Sequence, residues 1–317
     1  DFFKDNINLK KRKVLLIEEA QSYTEEVRRI INTEYGFKKV YSEGLAISTP
    51  LNGKYQIAAL EALRTGIESY DKRRGWRGPI TNISKNLNWR NKIKSIKIDK
   101  TLNWEIAQVI QVDDNYSSIK ILKNNSKGKI FFTGLKWTGK KNFKDLLNVN
   151  DIIFVKKKSK GNWILKQLPK VNGGIVVMDP FNGKVKALVG GYSFESSEFN
   201  RVTQAKRQPG SAFKPIVYAA ALENGFQPNS LILDAPFVSK QGVGLKKWKP
   251  QNYGKKFYGP STLRMGVEKS RNLMTVRVAQ KLGFEKISKI SRDLGVYDKV
   301  PELLSVSLGS NETTLLK

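Results

Sequence analysis

The chain has 317 residues, an apolar share of 39 % and a formal net charge of +29, and it lacks histidine and cysteine altogether. Its length predicts two or three domains, and its composition is typical of a folded rather than a disordered protein. The absent residue types exclude disulfides, thiolate metal sites, Ser-His-Asp triads and Cys-His pairs, so we expect neither a metal nor a cofactor.

The positive charge first suggests nucleic acid as a partner. The lysines are scattered, however, and their short blocks are not interleaved with aromatic residues as in a channel for single strands. We interpret the charge as a solvated basic surface with general affinity for anionic lipid or polymer, and we expect no nucleic acid. No apolar run is long enough to predict a membrane span, and no secretory leader is visible at Asp1.

The first hundred residues predict a helical region. A polar, basic lead-in covers residues 1–20, and Ser22 then begins a helix with capping-box spacing to Glu25. Residues 45–49 predict a short strand, and an apolar stripe predicts a helix over residues 54–70. A basic stretch with two glycines follows that helix and begins a linker.

Beyond residue 103 the pattern changes to short segments that alternate apolar and polar residues. The predicted strands cover residues 106–112, 117–122, 128–133, 151–156 and 163–167. Five such strands predict a small β-barrel of the oligonucleotide/oligosaccharide-binding (OB) type. We interpret Trp104, Trp137 and Trp163 as core residues of this barrel, and a stacking platform for bases or sugars is the alternative.

After Pro169 the pattern changes again. Residues 174–179 form a nearly continuous apolar strand, Asn182-Gly183 is a hairpin signal, and residues 185–191 form the return strand. Helices are predicted from Ser211 onward. This order predicts an α+β domain in which a helix packs against an antiparallel sheet.

Ser211 is the candidate nucleophile. It stands at a loop-to-helix junction, and Lys214 follows one helical turn later on the same face. A serine nucleophile needs an adjacent base, and the small apolar residues that follow predict a buried helix whose N-terminus favours a developing oxyanion. The alternative role for Ser211 is a helix N-cap. The Ser-x-x-Lys pattern also occurs in less suitable contexts, at Ser69, Ser117 and Ser126.

A second element, Ser270-Arg271-Asn272, lies between helices predicted over residues 263–268 and 274–282. The hydroxyl of Ser270 is suited to relay a proton. The amide of Asn272 is suited to hold a substrate carbonyl or amide.

With these motifs, residues 199–215 resemble the nucleophile region of class A penicillin-binding proteins of the 1A type. Further stretches agree with that family, namely residues 231–236, 248–253, 258–264, 269–272 and 307–310. Residues 25–29 and 70–79 resemble the region that joins the glycosyltransferase domain of the family to the transpeptidase domain. The resemblance therefore covers nearly the whole chain.

The resemblance implies a D-Ala-D-Ala transpeptidase that cross-links peptidoglycan. Ser211 would attack the penultimate D-Ala carbonyl, Lys214 would act as base, Ser270 would relay the proton, and Asn272 would position the donor peptide. β-Lactams would acylate the same serine.

Trp248 and Asn252, which lie in one of the similar stretches, are further candidate substrate-binding residues. The implied partners are peptidoglycan stem peptides, glycan derived from lipid II, and β-lactam antibiotics.

The resemblance also implies three regions: a helical linker over residues 1–100, an OB-like barrel over 101–169, and the N-terminal part of a transpeptidase domain over 170–317. The parent protein would also be a glycosyltransferase, held at the periplasmic face of the bacterial inner membrane by an anchor outside this sequence. The third family motif, Lys-Thr/Ser-Gly on a strand, does not occur after Ser270. We therefore expect a C-terminally truncated domain with an incomplete site and an open sheet edge.

Other functions stay open at this point. One enzyme alternative is a DD-carboxypeptidase or serine β-lactamase, in which water replaces the acceptor amine. From a different class, the chain would be a non-catalytic β-lactam sensor, or a cell-wall or nucleic-acid binding module.

Overall fold

A computed structural model describes residues 17–159, 161–239 and 247–317. The chain folds as two compact units, one that extends to Val202 and one that comprises Thr203–Lys317. The predicted lead-in over residues 1–20 lies almost wholly outside the described residues. The three regions predicted from the sequence divide the chain differently from these two units, and they stay a prediction. No helix of the described residues is both long and apolar enough for a bilayer span.

Three helices open the first unit: α1 (Gln21–Tyr35), α2 (Phe37–Ser42) and α3 (Gly53–Lys72). The two helices predicted here are confirmed, but the capping box at Ser22 is wrong, because no side chain caps α1. Asn52 caps α3 instead, with its Oδ1 accepting from the backbone N–H groups of Lys54 and Tyr55. The strand predicted over residues 45–49 is also wrong, because this segment pairs with no other strand of the described residues.

A closed barrel follows a short helix, α4 (Trp89–Lys94). Its strands are β1 (Thr81–Asn82), β2 (Trp104–Val112), β3 (Tyr116–Ile121), β4 (Lys127–Phe131), β5 (Asp151–Ser159) and β6 (Asn162–Lys166). The order is β1-β5-β2-β3-β4-β6, and β5 also pairs with β6, so strands β2 to β6 form a ring. All five predicted strands are confirmed, and the two-residue β1 adds to the start of β5.

The tryptophans belong to the packed interior of this unit, as predicted. Trp104 is buried beside Phe154, with ring centroids 5.9 Å apart, and Trp137 and Trp163 pack half-buried against the barrel core. Trp163 covers Gly128, where an added Cβ would lie only 2.3 Å from the indole ring. The glycine therefore makes room for the ring.

The predicted hairpin is confirmed as β7 (Ile175–Met178) and β8 (Val185–Val189). The helix that packs on it is α3, through Ala59 and Leu60, and not a helix after Ser211. The side chain of Gln56 bonds both backbone groups of Leu188, at 2.9 and 3.0 Å, and so covers the outer edge of β8. Among the described residues, β7 pairs with β8 alone.

The predicted linker after α3 is a fixed corner of the first unit. Asp71 is buried, and its carboxylate accepts hydrogen bonds from Arg77, Gln167 and the backbone N–H of Lys170 at 2.8 to 3.1 Å. Three donors on one buried carboxylate tie the end of α3 to both ends of the barrel segment.

The two stretches that most resemble a Lys-Thr-Gly motif are not on strands. Arg64 lies within α3, where it forms a buried ion pair with Asp99 at 2.9 Å. Trp137 lies in a 3-10 turn. Neither stretch forms the wall of an active site in the way the family motif requires.

The second unit is mainly helical. It comprises α5 (Lys214–Glu223), β9 (Leu231–Asp234), β10 (Gly259–Thr262), α6 (Leu263–Glu268), α7 (Asn272–Leu282) and α8 (Phe284–Asp293). Val217 and Ala221 of α5 pack in one core with Val278 of α7 and Ile287 of α8, and all four are fully buried. The predicted burial of the helix after Ser211 is confirmed, and so are the two helices that flank Ser270.

Candidate active site

Ser211 lies in a single 3-10 turn, Gly210–Phe213, that leads directly into α5. Because three residues complete one turn of such a helix, Ser211 and Lys214 project on the same side. The side chain of Ser211 is exposed and caps neither the 3-10 turn nor α5. The interpretation of Ser211 as a helix N-cap is therefore wrong, and the α-helix itself begins only at Lys214.

Backbone contacts from the end of the chain hold this turn in place. The N–H of Gly210 donates to the carbonyl of Gly309 at 3.1 Å, and a Cβ added at Gly309 would lie only 2.0 Å from the carbonyl oxygen of Gly210. Both glycines have positive φ, +57° and +77°. Two further backbone hydrogen bonds, 2.7 and 2.9 Å, join Arg207 to Thr313. The nucleophile turn thus has the close backbone packing that only glycine allows.

Lys214 is the buried cation of the site, with 3 % of its surface exposed. Its Nζ donates to the carbonyl of Ser270 at 2.7 Å, to Ser270 Oγ at 2.9 Å and to Asn272 Oδ1 at 2.5 Å. Burial lowers the pKa of Lys214 to about 8, because removal from water disfavours the charged amine. A substantial neutral fraction is therefore present near neutral pH.

These three contacts use all the donors of a protonated lysine. The carbonyl of Ser270 and Oδ1 of Asn272 can only accept hydrogen bonds, whereas a hydroxyl can also donate. When Lys214 is neutral it keeps two donors and gains a lone pair. Ser270 Oγ is then the partner that can reverse its hydrogen bond and exchange a proton with Nζ.

Ser270 has a backbone conformation that non-glycine residues rarely adopt, with φ of +50°. The backbone on both sides is fixed, since the N–H of Ser270 donates to Val267 at 3.0 Å and the N–H of Arg271 donates to Gly266 at 2.9 Å. This conformation presents both the carbonyl and the hydroxyl of Ser270 to Lys214. Strain of this kind persists only where the surroundings determine it, and it is typical of active sites.

Asn272 is the first residue of α7, and its amide has a fixed orientation. Its Nδ2 donates to the carbonyl of Gln251 at 2.7 Å, while its Oδ1 accepts from Lys214. Because a carbonyl cannot donate, the Gln251 oxygen assigns the nitrogen to one side and the oxygen to the other. Sequence reasoning missed Gln251, because a backbone acceptor leaves no side-chain signal.

Asn252 lies next to this group but is buried, with 5 % of its surface exposed. Its Nδ2 donates to Asp234 Oδ1 at 2.7 Å and to the carbonyl of Lys256 at 3.0 Å, and its Oδ1 accepts from the N–H of Leu273 at 3.4 Å. Both ends of the amide are engaged by the protein. Its contact with substrate stays a prediction, and the contacts that the structure gives it are internal.

Trp248 is half-buried on the segment that leads to Gln251. Its backbone forms a two-bond bridge with Ser239, and its ring meets the edge of Phe237 at 6.4 Å. The structure thus brings Lys214, Ser270 and Asn272 into one hydrogen-bonded group, while Trp248 stays a predicted substrate-binding residue.

Taken together, an exposed serine, a buried lysine of lowered pKa and a second serine suit acyl transfer through a covalent intermediate. Within residues 17–159, 161–239 and 247–317, no cluster of three or more acidic side chains could hold a metal ion.

Comparison with known proteins accounts for this arrangement. The family model of the penicillin binding protein transpeptidase domain matches residues 173–311, and that of the penicillin-binding protein OB-like domain matches residues 76–171. Penicillin-binding protein 1A of Rickettsia felis is 44 % identical over 93 % of this chain. The chain belongs to the 1A type of the penicillin-binding proteins.

Other 1A-type proteins agree. Penicillin-binding protein 1A of Pseudomonas aeruginosa is 35 % identical over 88 % of this chain. The crystal structure of penicillin-binding protein 1A from Haemophilus influenzae matches with a TM-score of 0.80 and 30 % identity, over 94 % of this chain and 44 % of that one. The chain spans 37 % of the Rickettsia felis relative and 35 % of the Pseudomonas aeruginosa relative. The predicted α+β fold with an OB-like barrel is thereby confirmed.

Proposed function

We propose that this penicillin-binding protein chain carries the acylation site of a peptidoglycan DD-transpeptidase, with Ser211 as nucleophile and Lys214 as base. One observation carries the proposal: Lys214 is buried, has a pKa of about 8 and is bonded to Ser270 and Asn272, one 3-10 turn after an exposed serine. The match to the transpeptidase domain supports the substrate class.

In the acylation step, neutral Lys214 takes the proton of Ser211. The Oγ of Ser211 forms a bond to the carbonyl carbon of the penultimate D-Ala, and the bond from that carbon to the nitrogen of the terminal D-Ala breaks. The proton on Lys214 passes through Ser270 Oγ to the departing amine. This transfer uses the contact at 2.9 Å between Nζ and Ser270 Oγ, whose hydrogen bond can reverse.

In the second step, the amine of another stem peptide attacks the acyl carbon. An amide bond forms, the bond to Ser211 breaks, and the proton of the amine returns to Ser211 through the same groups. Asn272 keeps Lys214 in place and contacts the donor peptide. A β-lactam acylates Ser211 in the same way, because its ring amide presents an equivalent carbonyl.

The proposed partners follow from this chemistry: peptidoglycan stem peptides, glycan derived from lipid II, and β-lactam antibiotics. The polypeptide that carries this chain also contains a glycosyltransferase and an anchor in the bacterial inner membrane, with these two units on the periplasmic side. The 1A relatives support this wider proposal, since they extend well beyond the matched region.

Labelling of the full-length protein with a fluorescent penicillin tests the nucleophile. Ser211→Ala should abolish the labelled band and the acylated peptide in a digest, because no oxygen remains at the attacking position. Ser126→Ala is the matched control, since Ser126 also belongs to a Ser-x-x-Lys pattern but lies in an exposed turn of the first unit. Persistent labelling of Ser211→Ala would disprove the assignment.

A second assay separates the alternatives. With a donor pentapeptide and an acceptor amine, a transpeptidase forms the cross-linked amide and releases D-Ala. A carboxypeptidase releases D-Ala without the amide, and a sensor is acylated by β-lactams but turns over neither substrate. The OB-like barrel favours the transpeptidase, because a minimal hydrolase does not require it.

A further inference from the structure

Beneath the Ser270–Asn272 turn lies a carboxylate that the proposed mechanism does not use. Asp234 ends β9 and is fully buried. Its Oδ1 accepts from Asn252 at 2.7 Å, and its Oδ2, which takes no hydrogen bond in the described residues, lies 3.8 Å from Nη1 of Arg271. A buried carboxylate is costly unless it is paired, so its presence here requires an explanation beyond packing.

Asp234 closes a loop over residues 252–258 at both ends. Its carboxylate bonds the side chain of Asn252, and its backbone carbonyl accepts from the N–H of Tyr258 at 3.2 Å. Within the loop, Asn252 also bonds the carbonyl of Lys256 at 3.0 Å. The loop is therefore fixed on the aspartate and ends with the ring of Tyr258 beside the active site.

Arg271 is held between that ring and the carboxylate. Its guanidinium carbon lies 3.3 Å from the centroid of the Tyr258 ring, and its side chain is mostly buried. A guanidinium stacked on an aromatic face and paired with a carboxylate has little freedom. Because Arg271 stands between Ser270 and Asn272 in the chain, this contact fixes the middle of the catalytic turn.

A second connection reaches the same turn from Asn252. Its Oδ1 accepts from the N–H of Leu273 at the start of α7, and the carbonyl of the preceding Gln251 orients the amide of Asn272. Both connections begin at Asp234. One holds the residue after Ser270, and the other holds Asn272 and the helix that begins there.

We propose that Asp234 is the positioning residue of the Ser270–Asn272 turn, acting through Arg271 and Asn252. It keeps Ser270 in its left-handed conformation and so keeps the Ser270 hydroxyl on Nζ of Lys214. Asp234 touches no substrate. The proposal rests on the proposed function, and it reassigns Asn252 from substrate binding to the support of the site.

Asp234→Asn in the full-length protein tests it, because this change keeps an acceptor for Asn252 and removes the charge that holds Arg271. Acylation by a β-lactam is followed by stopped flow, which separates binding of the drug from formation of the acyl-enzyme. The acylation rate constant should fall by about 10- to 100-fold, the loss expected from a small misplacement of catalytic groups, with no change in the dissociation constant of the first complex.

A double-mutant cycle distinguishes positioning from general loss of stability. Arg271→Gln should slow acylation like Asp234→Asn, and the double variant should be no slower than either, because both remove the same contact. Arg271→Lys should restore part of the rate, since it returns the charge without the planar stack. Additive effects in the cycle would overturn the proposal.

Ser288→Ala is the matched stability control. Ser288 is buried in the same unit and loses one comparable hydrogen bond, from the N–H of Val300 at 3.0 Å. Its acylation rate should equal that of the wild type, and an equal loss in Ser288→Ala and Asp234→Asn would overturn the proposal. Ser211→Ala separates the two hypotheses: if it still acylates, the proposed function fails, whereas a normal rate in Asp234→Asn removes only the positioning role.

Discussion

The barrel in the first unit and the pocket around Lys214 in the second bury opposite kinds of residue. The barrel interior is apolar, with Val109, Ile119 and Ile153 fully buried. The pocket buries Lys214 and Asp234 and holds a serine in a left-handed conformation. The barrel tolerates exchanges among apolar residues of similar volume, whereas each polar group of the pocket depends on one particular partner. Changes in the two regions should therefore separate loss of stability from loss of acylation.

The largest effect on acylation after removal of Ser211 is expected at Lys214. Lys214→Arg keeps the positive charge but cannot lose its proton, so acylation should fall by about 10²- to 10⁴-fold, the usual contribution of a general base. Stopped-flow acylation by a β-lactam measures this loss. A variant that acylates at the wild-type rate would exclude Lys214 as the base.

The pH profile of the wild type sharpens the same point. Since only neutral Lys214 accepts a proton, acylation should rise by about tenfold per pH unit below the pKa of about 8 and level off above it. The free energy of unfolding should rise between pH 8 and the usual lysine pKa of 10.5, because there the unfolded chain binds the extra proton. A rate that stays constant from pH 6 to pH 9 would contradict both the lowered pKa and the role of Lys214.

Two glycines, one in each region, extend the comparison to the backbone. Gly309→Ala should slow acylation by at least about 10-fold, because the new Cβ would lie 2.0 Å from the carbonyl of Gly210 and displace the nucleophile turn. Gly295→Ala is the control, since it has a similar φ of +70° but no atom within 4 Å of the new Cβ. The control should lose only about 1–2 kcal/mol of stability and acylate normally. Equal acylation by the two variants would refute the role of the close backbone contact.

The smallest effect on acylation is expected in the barrel. In Gly128→Ala the new Cβ would lie 2.3 Å from the ring of Trp163, so the free energy of unfolding should fall by about 1–3 kcal/mol while acylation stays unchanged. Gly134→Ala, with no atom within 4 Å of the added Cβ, should be close to neutral. Denaturant unfolding and stopped flow measure the two quantities on the same samples. A slower acylation in Gly128→Ala would show that the two regions are coupled.

Local patterns allowed most of the fold to be predicted. Alternation along each strand identified β2 to β6, and apolar periodicity identified α1, α3, α6 and α7, because the side-chain period of an element is a property of its own residues. The strand predicted over residues 45–49 shows the limit. Its composition suits a strand, but a strand also needs a neighbour to bond with, and none of the described residues provides one.

The reactive residues were also within reach of the sequence. Ser211, Lys214, Ser270 and Asn272 stood out because catalysis requires those residue types at close spacing, with no histidine or cysteine to compete. The support of the site was not within reach. Asp234, the carbonyl of Gln251 and the contact of Gly309 with Gly210 join positions far apart in the chain.

The sequence by itself thus determined which segments become strands and helices, and which serine and lysine form the reactive pair. Only the tertiary structure decided that Ser211 is not a helix cap, that Lys214 is buried enough for its pKa to fall to about 8, and that Asn272 presents its oxygen to that lysine. The physical reason is that secondary structure depends on neighbouring residues. The protonation and orientation of a catalytic group depend instead on whatever the folded chain brings against it.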